Sequence, residues 1–260
     1  MRGAAALYRA LRHELAREWL RFTGLNSRSW LRAISGSISM ALWLLAAIVA
    51  MSWYGIARIR VDRYMYWVFF TYTLYSEPIW AAAEARSSLK GGVAEQILAA
   101  RGDLAGVMLA WLFVDSSIWS ALDSAILLLV FAAIFGRLPE LEQPLLLAAA
   151  VPPLLAFSIL TGLAALYVMS RIENTWIAGL AFQLVVPALG GILPPTVLPR
   201  GIAQALLLSP LQYVIAPVIY AGTGVWPLDP SIILVIDYII TISSIAIVNK
   251  YKNHLYLFSR

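Results

Sequence analysis

Long apolar runs separated by short charged stretches dominate this chain, and the runs have membrane-crossing length. Residues 33–57, between Arg32 and Arg58, contain no charged side chain. A helix crossing a bilayer core needs ~20 apolar residues, so this run predicts span one. Span two is predicted from Tyr64 to Glu84, interrupted at Glu77-Pro78, and span three lies within Asp103–Gly136. Span four fits between Glu142 and Arg171, span five between Glu173 and Arg200, and span six over residues 230–249.

Residues 201–228 are also free of charge, but Pro210, Pro217, Gly222, Gly224 and Pro227 punctuate them. Proline inside a helix removes a backbone hydrogen bond and clashes with the preceding turn. The stretch is therefore predicted to form two short half-helices, Ile202–Leu208 and Leu211–Tyr220, that dip in and return. Such backbone is tolerated at membrane depth only where protein or a cavity covers it. Asp229-Pro230 predicts the start of span six, with Asp as N-cap and Pro at the first helical position.

Ahead of span one, the helical period of residues 4–22 puts Leu7, Leu11, Leu15, Trp19 and Phe22 on one face. Arg9, His13, Arg17 and Arg21 fall on the other. This predicts a basic amphipathic helix lying in the membrane interface, which could also meet a cytoplasmic partner. The expected organisation is a cytoplasmic interfacial helix over 1–32, a six-helix transmembrane domain over 33–249 and a cytoplasmic tail over 250–260.

Composition agrees with this pattern. Of the 260 residues, 61% are hydrophobic and only 13% charged. Soluble domains carry about 25% charge, so this chain lacks the polar side chains to cover a water-facing surface. With no cysteine, it has no disulfides, thiolate metal sites or thiol nucleophiles. His13 and His254 both lie near a terminus, leaving no histidine for chemistry inside the membrane.

The net charge of +5 reflects topology rather than nucleic-acid binding. Six crossings with both termini in the cytoplasm place 14 Lys/Arg inside against 5 outside. A seventh crossing would give 11 against 8. Cytoplasmic segments carry the excess, so six crossings in the plasma membrane are preferred.

Four carboxylates are predicted at membrane depth: Glu77, Asp115, Asp123 and Asp237. Ionisable groups there are costly and usually face the bundle interior or a water-filled cavity, which makes them pathway candidates. Ser116, Ser120, Ser124 and Asp123 share one face of span three, where a small polar stripe suits helix packing. Span two is crowded with Tyr64, Tyr66, Trp67, Phe69, Phe70, Tyr72, Tyr75 and Trp80, expected as an interfacial belt and core packing.

Between spans two and three, residues 86–102 contain a glycine pair, Gly91-Gly92, followed by Val93, Ala94, Glu95, Gln96, Ile97 and Leu98. A short helix lying flat at the cytoplasmic interface is predicted there. This segment resembles the permease subunits of type-2 ATP-binding-cassette exporters, in which a charged stretch after span two leads into Gly-x-hydrophobic-Glu-x-hydrophobic-Leu. The match is offset by one residue, and Ala99-Ala100-Arg101 stands where the family often has Thr/Ser-Pro. Leu193-Pro194-Pro195, Leu198-Pro199 and Leu208-Ser209-Pro210-Leu211 are similar to that family's Leu-Pro segment and external half-helices over 199–228. The basic helix before span one and the short 170–175 connection agree as well.

The resemblance implies an all-α integral membrane protein without catalytic activity of its own. No Gly-x4-Gly-Lys-Ser/Thr phosphate loop is present. ATP and Mg would bind a separate nucleotide-binding subunit, and this chain would bind no cofactor or metal. Gly91, Gly92, Val93, Glu95, Gln96, Ile97, Leu98 and Arg101 would form the coupling helix receiving that subunit's motion. Arg171 and Glu173 would make a second, smaller contact. Two permease copies, or a copy and a paralogue, would enclose the pathway in the bilayer. An amphipathic substrate (drug, lipid or lipid-linked glycan) would leave the cytoplasm by alternating access. A nucleotide-independent transporter or channel using the intramembrane carboxylates is the main alternative. An intramembrane enzyme is the third reading, and as a diacidic protease it would require Asp115 and Asp237 to meet.

Overall fold

The computed structural model describes residues 61–88, 104–172, 177–182, 199–225 and 228–251, with 11–16 and the single positions 42, 46, 49 and 174. Its helices are α1 (Val61–Ser88), α2 (Leu104–Phe135), α3 (Pro144–Arg171), α4 (Arg200–Leu207), α5 (Gln212–Thr223) and α6 (Pro230–Tyr251). No strand occurs among the described residues. Among the described residues, three helices are long and apolar enough to cross a membrane: Gly106–Phe135, Pro144–Arg171 and Pro230–Ile247. The α4–α5 pair, bent by 111°, passes the same test as a unit. These long apolar helices identify a membrane-embedded helical chain.

Cross-helix bonds give the directions. Arg63 at the start of α1 pairs with Glu142 just before α3, and Arg86 near the end of α1 donates to the Ile172 carbonyl just after α3. The two helices therefore run parallel. The α2 helix is antiparallel to α1: Arg137 beyond its end reaches Asp62, and Ser120 in its middle points to the Thr73 carbonyl. In α6, Tyr238 and Thr241 donate to the carbonyls of Ala149 and Pro153, so α6 runs parallel to α3. The bundle thus has an Arg63 end and an Arg86 end.

Span two differs from its expected form. It begins three residues earlier and ends four later than Tyr64–Glu84, and the helix continues through Glu77-Pro78. It is also not among the helices apolar enough to qualify as a span. The reason is its position: α1 packs against α2, α3 and α5 at once, so its polar groups find protein partners rather than lipid. Its aromatics are core. Tyr64, Tyr66, Trp67 and Tyr75 are buried with Phe131 of α2, Leu154 and Met169 of α3, and Ile219 and Tyr220 of α5. Tyr66 meets Phe131 edge-on, with ring centroids 5.2 Å apart, a favoured aromatic geometry. Trp80 does face outward. Nearer the Arg86 end, Ala81, Ala82 and Ala85 let Met108, Trp111 and Leu112 approach closely.

A backbone-to-backbone crossing joins α1 to α3. A Cβ on Gly162 would lie 2.6 Å from the Pro78 carbonyl oxygen, so the two backbones touch with no side chain between them. Small residues at helix contacts allow this approach in membranes. Gly222 of α5 serves likewise, its missing Cβ leaving room for the Trp67 indole.

Caps follow the local sequence. Asp229 Oδ1 accepts the N–H of Ser231 at 2.8 Å and of Ile232 at 3.4 Å, with Pro230 first in α6, as its sequence predicts. Gly224, at φ +75°, ends α5 and returns its N–H to the Tyr220 carbonyl at 2.7 Å. Leu129, Leu145, Ile232, Val235, Ile239 and Ile242 are all more than half exposed. Such outward apolar faces suit lipid contact.

Two short helices occur where they are predicted, as α4 and α5, differing from the expected bounds by one residue at each inner end and by two and three at the outer ends. The α5 helix is buried along most of its length and contacts α1, α3 and α6, whereas α4 has no buried residue. Of the N-terminal helix, residues 11–16 are helical, with Leu15 exposed and Glu14 buried. In span one, Leu42, Ala46 and Val49 are helical, exposed and on one face. Most of span five lies outside the described residues, though 177–182 are helical and Tyr75 donates to the Phe182 carbonyl at 2.9 Å.

Candidate functional site: polar groups within and at the ends of the bundle

The Arg63 end carries a charge network built from three parts of the chain. Arg63 is buried, and its Nε and Nη2 donate to the Gly222 carbonyl at 3.2 and 2.8 Å. Its Nη1 reaches Glu142 at 2.8 Å and Glu140 at 3.4 Å. The carbonyls in the last turn of α5 lack helical partners, and a guanidinium there also complements the helix dipole. Trp67 Nε1 donates to the Glu140 carbonyl at 3.2 Å, and the Gln143 N–H to the Ala221 carbonyl at 3.1 Å. Arg137 bonds Asp62 at 2.5 Å and Glu140 at 3.3 Å. The network ties α5 to α1 and to the α2–α3 connection. The sequence places Arg63, Arg137 and Glu140 in external segments but gives no sign that they meet.

The predicted pathway carboxylates fall at two depths. Glu77 on α1 and Asp115 on α2 are both buried. Counting from the Ser120–Thr73 contact along antiparallel helices puts Glu77 level with Ser116, one residue from Asp115. Asp123 is half-buried on α2, and Asp237 on α6 is fully buried. By helix rise, Asp123 lies about 12 Å and Asp237 about 18 Å nearer the Arg63 end. Glu77, Asp115 and Asp123 each interact with other groups, whereas neither carboxylate oxygen of Asp237 has a hydrogen-bond partner.

The α2 helix packs on α1 and α3, while α6 packs on α3 and α5. Asp115 and Asp237 thus lie on helices with different neighbours and at depths about 18 Å apart, so they do not meet as the diacidic arrangement of a protease requires. Among the described residues, no group of three or more His, Cys, Asp or Glu could hold a metal. Within the serine stripe, Ser116 bonds the Leu112 carbonyl of its own helix and Ser120 reaches α1. Ser124 Oγ is buried without a partner.

One bond between α3 and α6 follows from a proline. Pro153 has no N–H, so the Ala149 carbonyl, four residues before it, loses its helical donor. Tyr238 Oη donates to that oxygen at 3.0 Å, and Thr241 Oγ1 to the Pro153 carbonyl at 3.4 Å. Tyr238→Phe is expected to cost ~0.5–1.5 kcal/mol, the ordinary worth of one such bond. Thermal unfolding of the detergent-solubilised variant measures this, and an unchanged midpoint would show that the bond contributes nothing.

At the Arg86 end, Arg86 Nη2 donates to the Ile172 carbonyl at 2.8 Å. Arg171 is exposed, with its guanidinium carbon 5.4 Å from the centre of the Tyr167 ring. Gly91, Gly92, Val93, Glu95, Gln96, Ile97, Leu98, Arg101 and Glu173 lie outside the described residues. Compared with known proteins, the chain matches no family model, no curated protein and no solved structure.

Proposed function

We propose that this chain is the permease subunit of an ATP-driven exporter of the type-2 ATP-binding-cassette class. It would cross the membrane six times with both termini in the cytoplasm, and α4–α5 would be a re-entrant pair on the outer side. The observation that carries the reading is the Arg86–Ile172 bond. It joins the helix ends that lead into the two segments expected to receive a separate ATPase, residues 87–101 and 171–175. One docked subunit could then act on both, as such coupling requires. The exposed Arg171 beside this junction adds a cation for that surface. The opposite end, where Arg63 fastens α5, would be the outer gate for an amphipathic drug, lipid or lipid-linked glycan. Alternating access would follow from the ATPase binding the two permease states unequally. A second copy or a paralogue would complete the pathway.

The test is purification of the tagged chain from its native membrane, with ATP hydrolysis assayed in the product. Ile97→Ala and Leu98→Ala are expected to weaken recovery of the ATPase subunit by ~2 kcal/mol, about thirtyfold in affinity, as for buried interface anchors. Glu95→Gln should have a milder effect. A full yield of ATPase with both alanine variants, insertion being intact, would refute the docking role.

One observation favours a second reading, a nucleotide-independent transporter: the buried carboxylate of Asp237, which has no hydrogen-bond partner. Substrate movement in vesicles containing this chain alone would support that reading over the first.

A further inference from the structure

We propose that Asp237 is a proton-binding site. It is a carboxylic acid that keeps its proton while α6 stays packed on α3 and α5, and releases it when water reaches the group. The inference stands on burial and bonding alone and holds whether or not a separate ATPase drives the chain.

Asp237 is fully buried on the face of α6 that also carries Ile233 and Thr241, one turn to either side. Neither of its oxygens has a hydrogen-bond donor. The neighbouring hydroxyls are engaged elsewhere, Tyr238 and Thr241 both donating to carbonyls of α3. On α5, Gln212 Oε1 is likewise buried without a donor. Gln212 lies nine residues before Ala221, whose carbonyl bonds the Gln143 N–H, and this places it near the depth of Asp237. Acceptors are therefore in excess here, and a donor is what is missing.

No charge compensates the group among the described residues. On α3 the ionisable side chains are Tyr167 and Arg171, and Arg171 is about 30 Å further along the bundle. On α5 they are Tyr213, which donates to the Leu207 carbonyl, and Tyr220, which accepts from Gln212. On α6, besides Tyr238, they are Lys250 and Tyr251, more than three turns away. A metal ion would need several ligands, and no such group occurs among the described residues. An ionised, unpaired carboxylate in this position costs several kcal/mol, and a proton is the smallest ligand that removes the charge.

Release is a simple acid dissociation. The O–H bond breaks, its electron pair stays on the carboxylate, and the proton passes to an incoming water. The packed state then holds one more proton than a state in which α6 has parted from its neighbours, so alkaline conditions favour parting. The same sign applies to unfolding. A carboxyl in the unfolded chain has lost its proton well below neutral pH, so the native state binds more protons and stability falls as pH rises.

Infrared difference spectroscopy of the purified protein in lipid nanodiscs tests the proposal, with pH as the only variable. At neutral pH the wild type should show the carbonyl band of a protonated carboxyl that disappears at alkaline pH. The band should be missing in Asp237→Asn and kept in Asp229→Asn, where asparagine caps the helix equally well. Labelling aspartate with heavy carbon must shift the wild-type band, and Asp115→Asn must keep it, which together assign it even if Asp237→Asn fails to fold. Identical wild-type and Asp237→Asn spectra, a band that labelling does not move, or its loss on adding sodium or potassium at constant pH would each overturn the proposal. Thermodynamic stability gives an independent reading. The folded-to-unfolded ratio should fall by up to tenfold per pH unit in the wild type relative to Asp237→Asn. Parallel pH profiles would also overturn it.

Discussion

Arg63→Met is expected to detach α5 from α1 and lower the stability of the whole bundle. The substitution keeps an unbranched chain of similar reach but removes every donor. The Gly222 carbonyl then loses two bonds at the end of α5, and Glu142 loses its cation. Breaking a fully buried pair costs ~3–5 kcal/mol. Glu140 and Glu142 are half-exposed here, so water recovers part of the loss. The expected cost is about 1.5–3 kcal/mol, the range for hydrogen bonds to a charged group. Arg63→Lys should fall in between, because an ammonium cannot hold Gly222 and Glu142 with a planar fork. Thermal unfolding in detergent measures both variants. The double variant Arg63→Met with Glu142→Gln should cost less than the sum of the singles, since the partners share one interaction. An Arg63→Met protein as stable as the wild type would mean that the network is not needed to hold α5.

The second large effect is expected at Gly162. In Gly162→Ala the new methyl would meet the Pro78 backbone at 2.6 and 2.9 Å, and neither helix has a flexible side chain there to move aside. The helices must separate along a contact that also brings Glu77 and Thr161 into the interior. Overpacking of this kind costs ~1–3 kcal/mol, and Gly162→Leu should exceed that. Gly179→Ala is the matched control, because its Cβ would meet only the mobile end of Met169, at 3.4 Å. If both alanine variants unfold at the wild-type temperature, α1 and α3 can part without loss.

The helices themselves were legible in the chain because a charge-free run of span length has few other uses. Spans three, four and six appear as α2, α3 and α6, and Asp229-Pro230 caps as its chemistry dictates. The bent α4–α5 pair was legible from its prolines. What could not be read was how a polar helix would be covered. Asp62, Arg63, Glu77, Glu84 and Arg86 make α1 the least apolar of the long helices, and only its three neighbours explain how it tolerates them. The Arg63 network was invisible for a related reason. Arg63 lies 77 to 159 residues from the groups it bonds, and no local period connects them. Asp237 was picked out by depth alone. Its lack of a donor became visible only once Tyr238 and Thr241 were seen bonded to α3.

The Pro78–Gly162 contact also fixes where α1 can turn. Backbone meets backbone at this point, so it acts as a fulcrum rather than a sliding surface. By helix rise, Arg86 stands about 12 Å to one side of it and Arg63 about 22 Å to the other. A rigid tilt of α1 therefore carries the Arg63 end roughly twice as far as the Arg86 end, and in the opposite direction. A displacement at the short arm would be roughly doubled where the guanidinium meets the α5 carbonyl. The helix has a mechanical advantage of about one half, exchanging force for travel.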